Sequence, residues 1–186
     1  MCDWPIGDKL MEKYHDEEWG VPVLNDKIHF EYMVLDSFQA GLSWKTILHR
    51  RKGFKKAFAN FNYKKVAAFT KKDVAKLMKD DGIIKNRQKI EASINNAKLF
   101  MDVQKEFGSF NRYIWQFVGY KPIHNKHKHG YEVPATSPES DKMAADLKKR
   151  GFKFCGSTIC YAYMQAAGMV NDHLVSCPRY SALAKK

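Results

Sequence analysis

Apolar side chains recur at helical spacing along most of this chain, and this pattern limits the possible folds more than any other feature. Phe30, Val34 and Phe38 form one such stripe, and a second stripe runs from Ile90 to Met101. Residues three and four positions apart share one face of a helix, so these stripes predict amphipathic helices that bury one side. No alternating run bounded by turn residues predicts a strand. We expect an all-α fold with short connections.

Short motifs mark where some of these helices start and stop. Thr70 lies three residues before Asp73, which is the spacing of a capping box. Ser137 followed by Pro138 combines an N-cap residue with a proline in the first turn, and Gly108 follows the longer apolar stripe. These motifs predict helices that begin near residues 70 and 137, and a long helix that ends before residue 108.

Length and composition indicate one globular domain, residues 1–186, because 45% of the residues are hydrophobic and a chain of this size can bury a core. The first residues show neither the basic region nor the apolar region of a secretory signal, and no apolar run is long enough to span a membrane. Nothing besides the even number of cysteines suggests an oxidising compartment. We expect a cytoplasmic protein with reduced thiols.

The chain is strongly basic. Its 32 lysines and arginines against 20 aspartates and glutamates give a formal net charge of +12 and a pI of about 9.5. Such a charge favours a nucleic-acid partner, because neutralisation of phosphates supplies most of the sequence-independent affinity. A basic surface without a polyanionic partner is the alternative that charge alone leaves open.

A basic hairpin is predicted at residues 148–168. Lys149 and Lys153 lie beside a turn that is bounded by Gly151 and Gly156 and leads into an apolar helix. Backbone N–H groups at the start of a helix bind phosphate readily. An ordinary pair of antiparallel helices has the same pattern, but the neighbouring lysines favour DNA binding.

Two pairs of cysteine and histidine lie at opposite ends of the chain. The first pair is Cys2 and His15. In the second pair His173 precedes Cys177 by four residues, a spacing that places both side chains on one face of a helical turn. Thiolate and imidazole together suit tetrahedral Zn²⁺, and one ion bound to all four would tie residues 2–15 to residues 173–177. Two free cysteines and two ordinary histidines are the alternative.

Aromatic residues cluster in two short segments, Tyr14–Gly20 and Gln39–Trp44. A pocket lined by these rings would accept a flat aromatic ligand, and a cationic one best, because ring faces attract positive charge. The alternative is that Trp4, Trp19 and the other rings fill the core.

Residues 120–140 differ from the rest of the chain. They contain three prolines, and His124, His127 and His129 lie among lysines. We expect a long, solvated basic loop near DNA. Metal binding by the three histidines is the weaker alternative, because no thiolate or carboxylate stands at a useful spacing.

These segments together resemble the bacterial DNA-3-methyladenine glycosylase I family, whose members remove 3-methyladenine from alkylated DNA. The similarity extends in consistent order from Cys2 to Cys177. The matching segments are Tyr14–Asp16, Glu18–Pro22, Gln39–Trp44, Gly82–Ile84, Arg87, Lys89–Ile90, Lys148–Phe154, Thr158–Tyr161, Met164–Ala166 and Val170–His173.

The resemblance implies a helix-hairpin-helix glycosylase fold with a structural zinc site that joins the two ends of the chain. It implies four zinc ligands, Cys2, His15, His173 and Cys177. It places the methylated base beside Tyr14 and Trp44. From the aromatic residues of the chain we take Trp4 and Trp19 as further candidate base-binding residues. It assigns DNA contacts to Gly41 and Leu42 and to the hairpin residues Lys149, Gly151, Lys153 and Gly156.

The chain departs from the family's pattern at two positions. Asp36 stands where the family usually places a base-contacting glutamate, and Met11 stands where a second tyrosine is often found. We take Asp36 as the candidate catalytic residue, one methylene shorter than the usual side chain. Glu17 and Glu18 are the alternatives for this carboxylate.

The implied activity is hydrolytic excision of 3-methyladenine from double-stranded DNA by a monomer, leaving an abasic site. Four protein ligands leave zinc no open position for catalysis. Cys160 and Tyr161 follow the hairpin where related strand-cleaving enzymes carry a lysine, so we expect no lyase activity. Asp172 is a lesser candidate for a general base. The alternatives are a non-catalytic, zinc-stapled binder of alkylated DNA and a zinc-stapled DNA- or RNA-binding module.

Overall fold

The computed structural model describes residues 2–185, so residues 1 and 186, the ends of the predicted domain, lie outside the described range. Helices dominate this range, as the periodicity predicts. The α-helices are α1 (Lys9–Glu17), α2 (Asp26–Gln39), α3 (Trp44–Ala57), α4 (Tyr63–Ala67), α5 (Lys71–Leu77), α6 (Arg87–Phe107), α7 (Phe110–Trp115), α8 (Pro138–Lys149), α9 (Ser157–Ala166) and α10 (Pro178–Ala184). Within residues 2–185, none of these helices combines the length and the hydropathy that a membrane span needs.

The predicted capping motifs are found at the ends of the helices in the structure. Asp73 Oδ2 accepts a hydrogen bond from the Thr70 backbone N–H at 2.7 Å, and α5 begins at the next residue. Ser137 Oγ accepts from the backbone N–H of Ser140 at 3.2 Å at the start of α8. Gly108 ends α6 with φ of +84°, a conformation that glycine adopts without strain. Local capping chemistry therefore sets these boundaries.

Helix α2 lies in the centre of the fold. Phe30, Val34, Leu35 and Phe38 on this helix are buried, and α3, α6 and α9 pack around it. A helix that is enclosed on most sides also encloses its polar residues. This position explains why Asp36, on the same helix, is cut off from bulk solvent.

One feature contradicts the expectation that the chain has no strand. Two short strands, β1 (Ile123–His124) and β2 (Val170–Asn171), pair in parallel, with Ile123 beside Val170 and His124 beside Asn171. Two residues are too few to leave an alternating pattern in the sequence. The pairing attaches the loop that follows β1 to the chain just before His173.

A close backbone contact brings the ends of α1 and α9 together. A Cβ atom at Gly168 would lie 2.2 Å from the Val21 carbonyl carbon, and Gly168 has φ of +66°, so only glycine fits there. The Gly20 N–H donates to the Gln165 carbonyl at 3.0 Å across this contact. The contact holds the Tyr14–Gly20 segment against the chain that leads to His173 and Cys177.

Candidate active site and metal centre

A cavity of about 870 Å³ opens between α1, α2 and α9. The aromatic residues and the carboxylate that sequence reasoning assigned to base binding and catalysis all line it. They are Trp4, Tyr14, Trp19, Asp36 and Trp44. Residues from α1, α2, α3 and the segment before α1 thus meet in one place, although up to 40 positions separate them in the chain.

The aromatic rings are arranged along the cavity wall. The Tyr14 and Trp44 ring centroids lie 5.1 Å apart with the rings inclined at 46°. Trp4 and Trp19 meet edge to face at 5.1 Å, and Trp4 also contacts Tyr14 at 6.4 Å. These separations are typical of attractive aromatic pairs. The cavity therefore offers ring faces to a flat ligand, as the aromatic clusters predict.

Asp36 is the buried carboxyl group of the cavity, with only 2% of its surface exposed. Its Oδ2 atom has no hydrogen-bond partner among residues 2–185, and neither has the buried indole Nε1 of Trp44. Burial raises the pKa of Asp36 well above its usual range, because the charged form loses its hydration. Buried polar atoms are nearly always paired, so one unpaired acceptor and one unpaired donor indicate a site that awaits a ligand.

The alternative carboxylates lie elsewhere. Glu18 accepts two hydrogen bonds from the Arg51 guanidinium, at 2.7 and 2.9 Å, and one from the Tyr32 hydroxyl at 3.1 Å. Glu17 is exposed and pairs with Lys13 at 3.8 Å. Neither glutamate lines the cavity. The structure therefore does not place Glu17 or Glu18 in the position proposed for Asp36.

Asp172 also lines the cavity, but its carboxylate is fully engaged. It accepts hydrogen bonds from Asn125 at 2.7 Å, from the Tyr161 hydroxyl at 2.7 Å and from Gln165 at 2.9 Å. His127 Nε2 lies 3.3 Å from the same group. These contacts make Asp172 a structural link between Asn125 and helix α9.

The four predicted metal ligands converge, although Cys2 and His173 lie 171 positions apart in the chain. Cys2, His15, His173 and Cys177 are all buried, and their ligand atoms lie within 4.8 Å of one another. His15 Nε2 and His173 Nδ1 are 3.0 Å apart, and Cys177 Sγ is 3.7 Å from each. Tetrahedral zinc with these ligands requires separations of about 3.3–3.8 Å. Both Cys177 distances lie in this range and the two nitrogens are slightly closer, so a small outward shift of the imidazoles would admit the ion.

The outward-facing ring nitrogens of both histidines are also satisfied. His15 Nδ1 lies 2.7 Å from the Asp16 carboxylate, and His173 Nε2 lies 3.0 Å from the Trp19 carbonyl. Such partners fix the orientation of a metal-binding imidazole and direct its other nitrogen at the ion. Burial raises the pKa of the Cys2 thiol to about 11, and a bound cation would offset this by stabilising the thiolate.

The prediction that His173 and Cys177 share a helical turn is wrong. These residues do not lie on a helix; a turn at residues 175–176 separates them, and Cys177 directly precedes α10. The Cys177 N–H donates to the Leu174 carbonyl at 2.7 Å and closes this turn. A tight turn brings residues four apart together as a helix does, so the two ligands still converge.

Comparison with known proteins agrees with this geometry. A sequence profile of the methyladenine glycosylase family matches residues 4–180. The chain belongs to the methyladenine glycosylase family. It is 44% identical to DNA-3-methyladenine glycosylase 1 of Escherichia coli (strain K12) over 179 residues, which cover 96% of both chains.

Solved structures show the same relationship for the fold. A crystal structure of 3-methyladenine DNA glycosylase I superposes with a TM-score of 0.93 at 42% identity and covers 95% of this chain and 97% of the other. A variant 3-methyladenine DNA glycosylase I in complex with 3-methyladenine superposes with a TM-score of 0.92 at 33% identity, covering 95% of each chain. The helical architecture is therefore that of a methyladenine glycosylase.

The turn between α2 and α3 is held by a buried lysine, Lys89. Gly41 has φ of +78°, and the Leu42 side chain beside it is 41% exposed. Lys89 Nζ donates to the Phe38 carbonyl at 2.9 Å and to the Ala40 carbonyl at 2.7 Å. The sequence analysis did not predict this role for Lys89. The position of a lysine directly before Ile90, at the start of an apolar stripe, is the feature that could have indicated it.

Helices α8 and α9 pack against each other, and α6 holds the segment that connects them. Asn96 on α6 donates to the Lys153 carbonyl and accepts from the Lys153 N–H, each at 2.9 Å. Lys149, Gly151, Lys153 and Gly156 are exposed, and no side chain caps the start of α9. The backbone N–H groups at this helix start are available to a phosphate.

Part of the predicted basic loop is also part of the cavity, which sequence reasoning missed. Lys128, His129, Gly130, Tyr131 and Val133 line its mouth. The Cys/His cluster is the sole candidate metal-binding group found in the described chain, so the loop histidines form no such group. An exposed tyrosine beside glycine in a basic loop is the signal that could have found this wall.

Proposed function

We propose that the chain is a monofunctional DNA glycosylase that flips 3-methyladenine out of alkylated double-stranded DNA and excises it by hydrolysis, leaving an abasic site. The unpaired Asp36 carboxyl group in an aromatic-lined cavity carries the proposal. The relatives named above, which are glycosylases of the same base, support it. We propose further that it acts as a monomer in the bacterial cytoplasm.

Recognition rests on the charge of the damaged base. Methylation at N3 makes adenine in DNA cationic, so the base gains cation–π attraction from rings such as Tyr14 and Trp44. The same cation lowers the free energy of the ionised Asp36, which burial alone disfavours. Neutral adenine supplies neither effect. Asp36 and the unpaired Trp44 Nε1 together offer an acceptor and a donor to the edge of the flipped base.

Excision breaks the bond between the sugar C1′ and the base nitrogen. The electron pair of that bond leaves with the base and neutralises its positive charge, so the base departs without strong protonation. Water adds to C1′ and releases a proton. The cavity contributes by holding the cationic base in an extrahelical position, at a cost of a few kcal/mol for unstacking, which is smaller for a damaged base.

Two exposed elements are proposed to hold the DNA. The Gly41–Leu42 turn, fastened by Lys89, would probe the gap that the flipped nucleotide leaves. The hairpin would bind backbone phosphates through Lys149, Lys153 and the N–H groups that follow Gly156. Phosphate contacts supply register and salt-dependent affinity rather than base selectivity.

The Cys2, His15, His173 and Cys177 side chains would hold a zinc ion in a purely structural role. Four protein ligands complete a tetrahedron, so bound zinc supplies no activated water and instead links the two ends of the chain. The convergence of four buried thiol and imidazole donors within 4.8 Å of one another supports this assignment.

Strand cleavage is not part of the proposed activity. Cys160 and Tyr161 follow the hairpin, and Lys128 is the single lysine among the described residues that line the cavity. Lys128 is exposed at the mouth of the cavity, whereas the Asp36 carboxyl group is buried in it. Strand nicking by metal-free enzyme, abolished in Lys128→Gln, would contradict this part of the proposal.

The deciding experiment incubates the protein with methylated duplex DNA and identifies released bases by chromatography. We expect free 3-methyladenine, while 7-methylguanine stays in the DNA. Release of no base by folded protein that binds alkylated DNA would instead support the non-catalytic binder.

A further inference from the structure

The loop at residues 125–133 places an exposed aromatic pair at the mouth of the cavity. The His129 and Tyr131 rings are stacked at 5.1 Å and are parallel to within 4°. Tyr131 is 84% exposed, although it lines the same cavity as Asp36. A large ring that is this exposed gains nothing from core packing, so its placement is not explained by stability.

This loop is anchored firmly at its base. The Asn125 side chain and the His127 ring both contact the Asp172 carboxylate, at 2.7 and 3.3 Å. The Val175 N–H donates to the His127 carbonyl at 2.9 Å, which ties the loop to the chain between two metal ligands. The aromatic pair is therefore held in place before any ligand arrives.

The tip is closed by its own acidic residue. Glu132 Oε2 accepts from the backbone N–H groups of Lys128 and His129, at 2.6 and 3.2 Å. Glu132 is the one acidic residue between positions 120 and 133, where three lysines also occur. Because the Glu132 carboxylate pairs with backbone N–H groups of the loop, it does not pair with the Lys128 ammonium group, which can therefore face a polyanion at the mouth of the cavity.

We propose that residues 128–131 are a binding site for the DNA strand that carries the flipped nucleotide. In this site the Tyr131 ring packs against the neighbouring unstacked base or its deoxyribose, and Lys128 pairs with a backbone phosphate. Exposed aromatic rings beside lysines are the usual means of holding single-stranded DNA, because every base offers a face for stacking. This inference rests on the proposed function, since it needs a flipped nucleotide in the cavity.

The test compares Tyr131→Ser with Tyr120→Ser, a matched change at a 60% exposed tyrosine that does not line the cavity. Binding is measured by anisotropy on a duplex with one tetrahydrofuran abasic-site analogue and on the undamaged duplex. We expect Tyr131→Ser to weaken binding to the abasic duplex about tenfold. Tyr120→Ser should bind as the wild type does, and Lys128→Gln should reduce the slope of log affinity against log salt by about 0.9.

The affinity of each variant for free 3-methyladenine separates a DNA contact from a base contact. We expect Tyr131→Ser to bind the free base as the wild type does. An equal loss for the free base and the abasic duplex would overturn the proposal by placing Tyr131 in the base site. Unchanged binding to both would overturn it as well. Base release by the wild type is measured separately, so failure of the glycosylase assignment is distinguishable from failure of this site.

Discussion

The candidate metal centre, formed by Cys2, His15, His173 and Cys177, and the aromatic cavity are neighbouring clusters that differ in how their polar atoms are satisfied. Trp19 contacts both: its ring lies 4.6 Å from that of His173 and also lines the cavity, as Cys2 does. In the metal centre, both outward-facing histidine nitrogens have partners and the four donors face one another. In the cavity, Asp36 and Trp44 each bury a polar atom without a partner.

This difference suggests that the first cluster contributes mainly to the stability of the fold and the second mainly to ligand binding. A fully satisfied polar cluster stabilises the fold, whereas an unsatisfied buried carboxyl group destabilises it by about 1–3 kcal/mol. A protein keeps such a group where a ligand supplies the missing partner. The comparison therefore predicts that changes in the metal centre affect folding first, and that changes in the cavity affect excision first.

The largest effect is expected from metal removal. A chelator should lower the melting temperature of the metal-loaded protein by about 10 °C or more, because the binding free energy of the ion is part of the folding free energy. Cys155→Ser, which changes a thiol outside the cluster, should respond as the wild type does. Cys177→Ser should melt lower and ignore the chelator. A wild-type melt that the chelator does not change would refute the metal centre.

The next effect concerns the cavity carboxylate. Asp36→Asn should reduce single-turnover excision of 3-methyladenine about 100-fold, because a hydrogen bond to a charged partner contributes roughly 1.5–3 kcal/mol. Its melting temperature should not fall, since the replaced oxygen has no partner to lose. Glu17→Gln, an exposed carboxylate outside the cavity, serves as the control. Unchanged turnover in Asp36→Asn would assign the role to another group.

A smaller effect is expected from the aromatic wall. Trp44→Ala should bind free 3-methyladenine about tenfold more weakly, in line with the energy of base–aromatic stacking, and should retain binding to undamaged duplex. Trp44→Phe keeps a ring but removes the unpaired indole N–H, so its affinity for free 3-methyladenine should lie between those of the wild type and the alanine variant. Calorimetry measures the free base and anisotropy measures the duplex. Equal losses for both ligands would contradict the pocket assignment.

The smallest effect is a pH dependence of stability. Burial raises the pKa of Asp36 in the folded state above its unfolded value near 3.9, so the folded state retains a proton that the unfolded state releases. The stability due to this proton is complete below the unfolded pKa and is lost as pH rises through the folded pKa.

Asp36→Asn lacks this loss. Its free energy of unfolding should therefore rise relative to that of the wild type by up to about 1.4 kcal/mol per pH unit within that window. Urea denaturation of both proteins between pH 4 and pH 8 measures the difference. A difference that stays constant over this range would show that Asp36 ionises normally.

The sequence by itself determined the helices and many of their ends. The capping box at Thr70, the N-cap at Ser137 and the glycine at position 108 act within one turn of the chain, so their effect can be predicted without knowing the fold. Residue type also identified the aromatic rings and the candidate metal ligands, because only a few side chains have suitable chemistry. Order and spacing of the motifs pointed to the family.

Only the tertiary structure decided which polar groups face the cavity and which face each other. The sequence alone does not distinguish the Asp36 carboxyl group from that of Glu18. In the fold, Arg51 and Tyr32 donate hydrogen bonds to Glu18, whereas Asp36 Oδ2 has no partner in the cavity among the described residues. The two-residue strand pair, the Lys89 contact and the loop around Tyr131 likewise depend on residues far apart in the chain. Periodicity and capping are local, whereas burial and pairing of a polar atom depend on what the folded chain brings beside it.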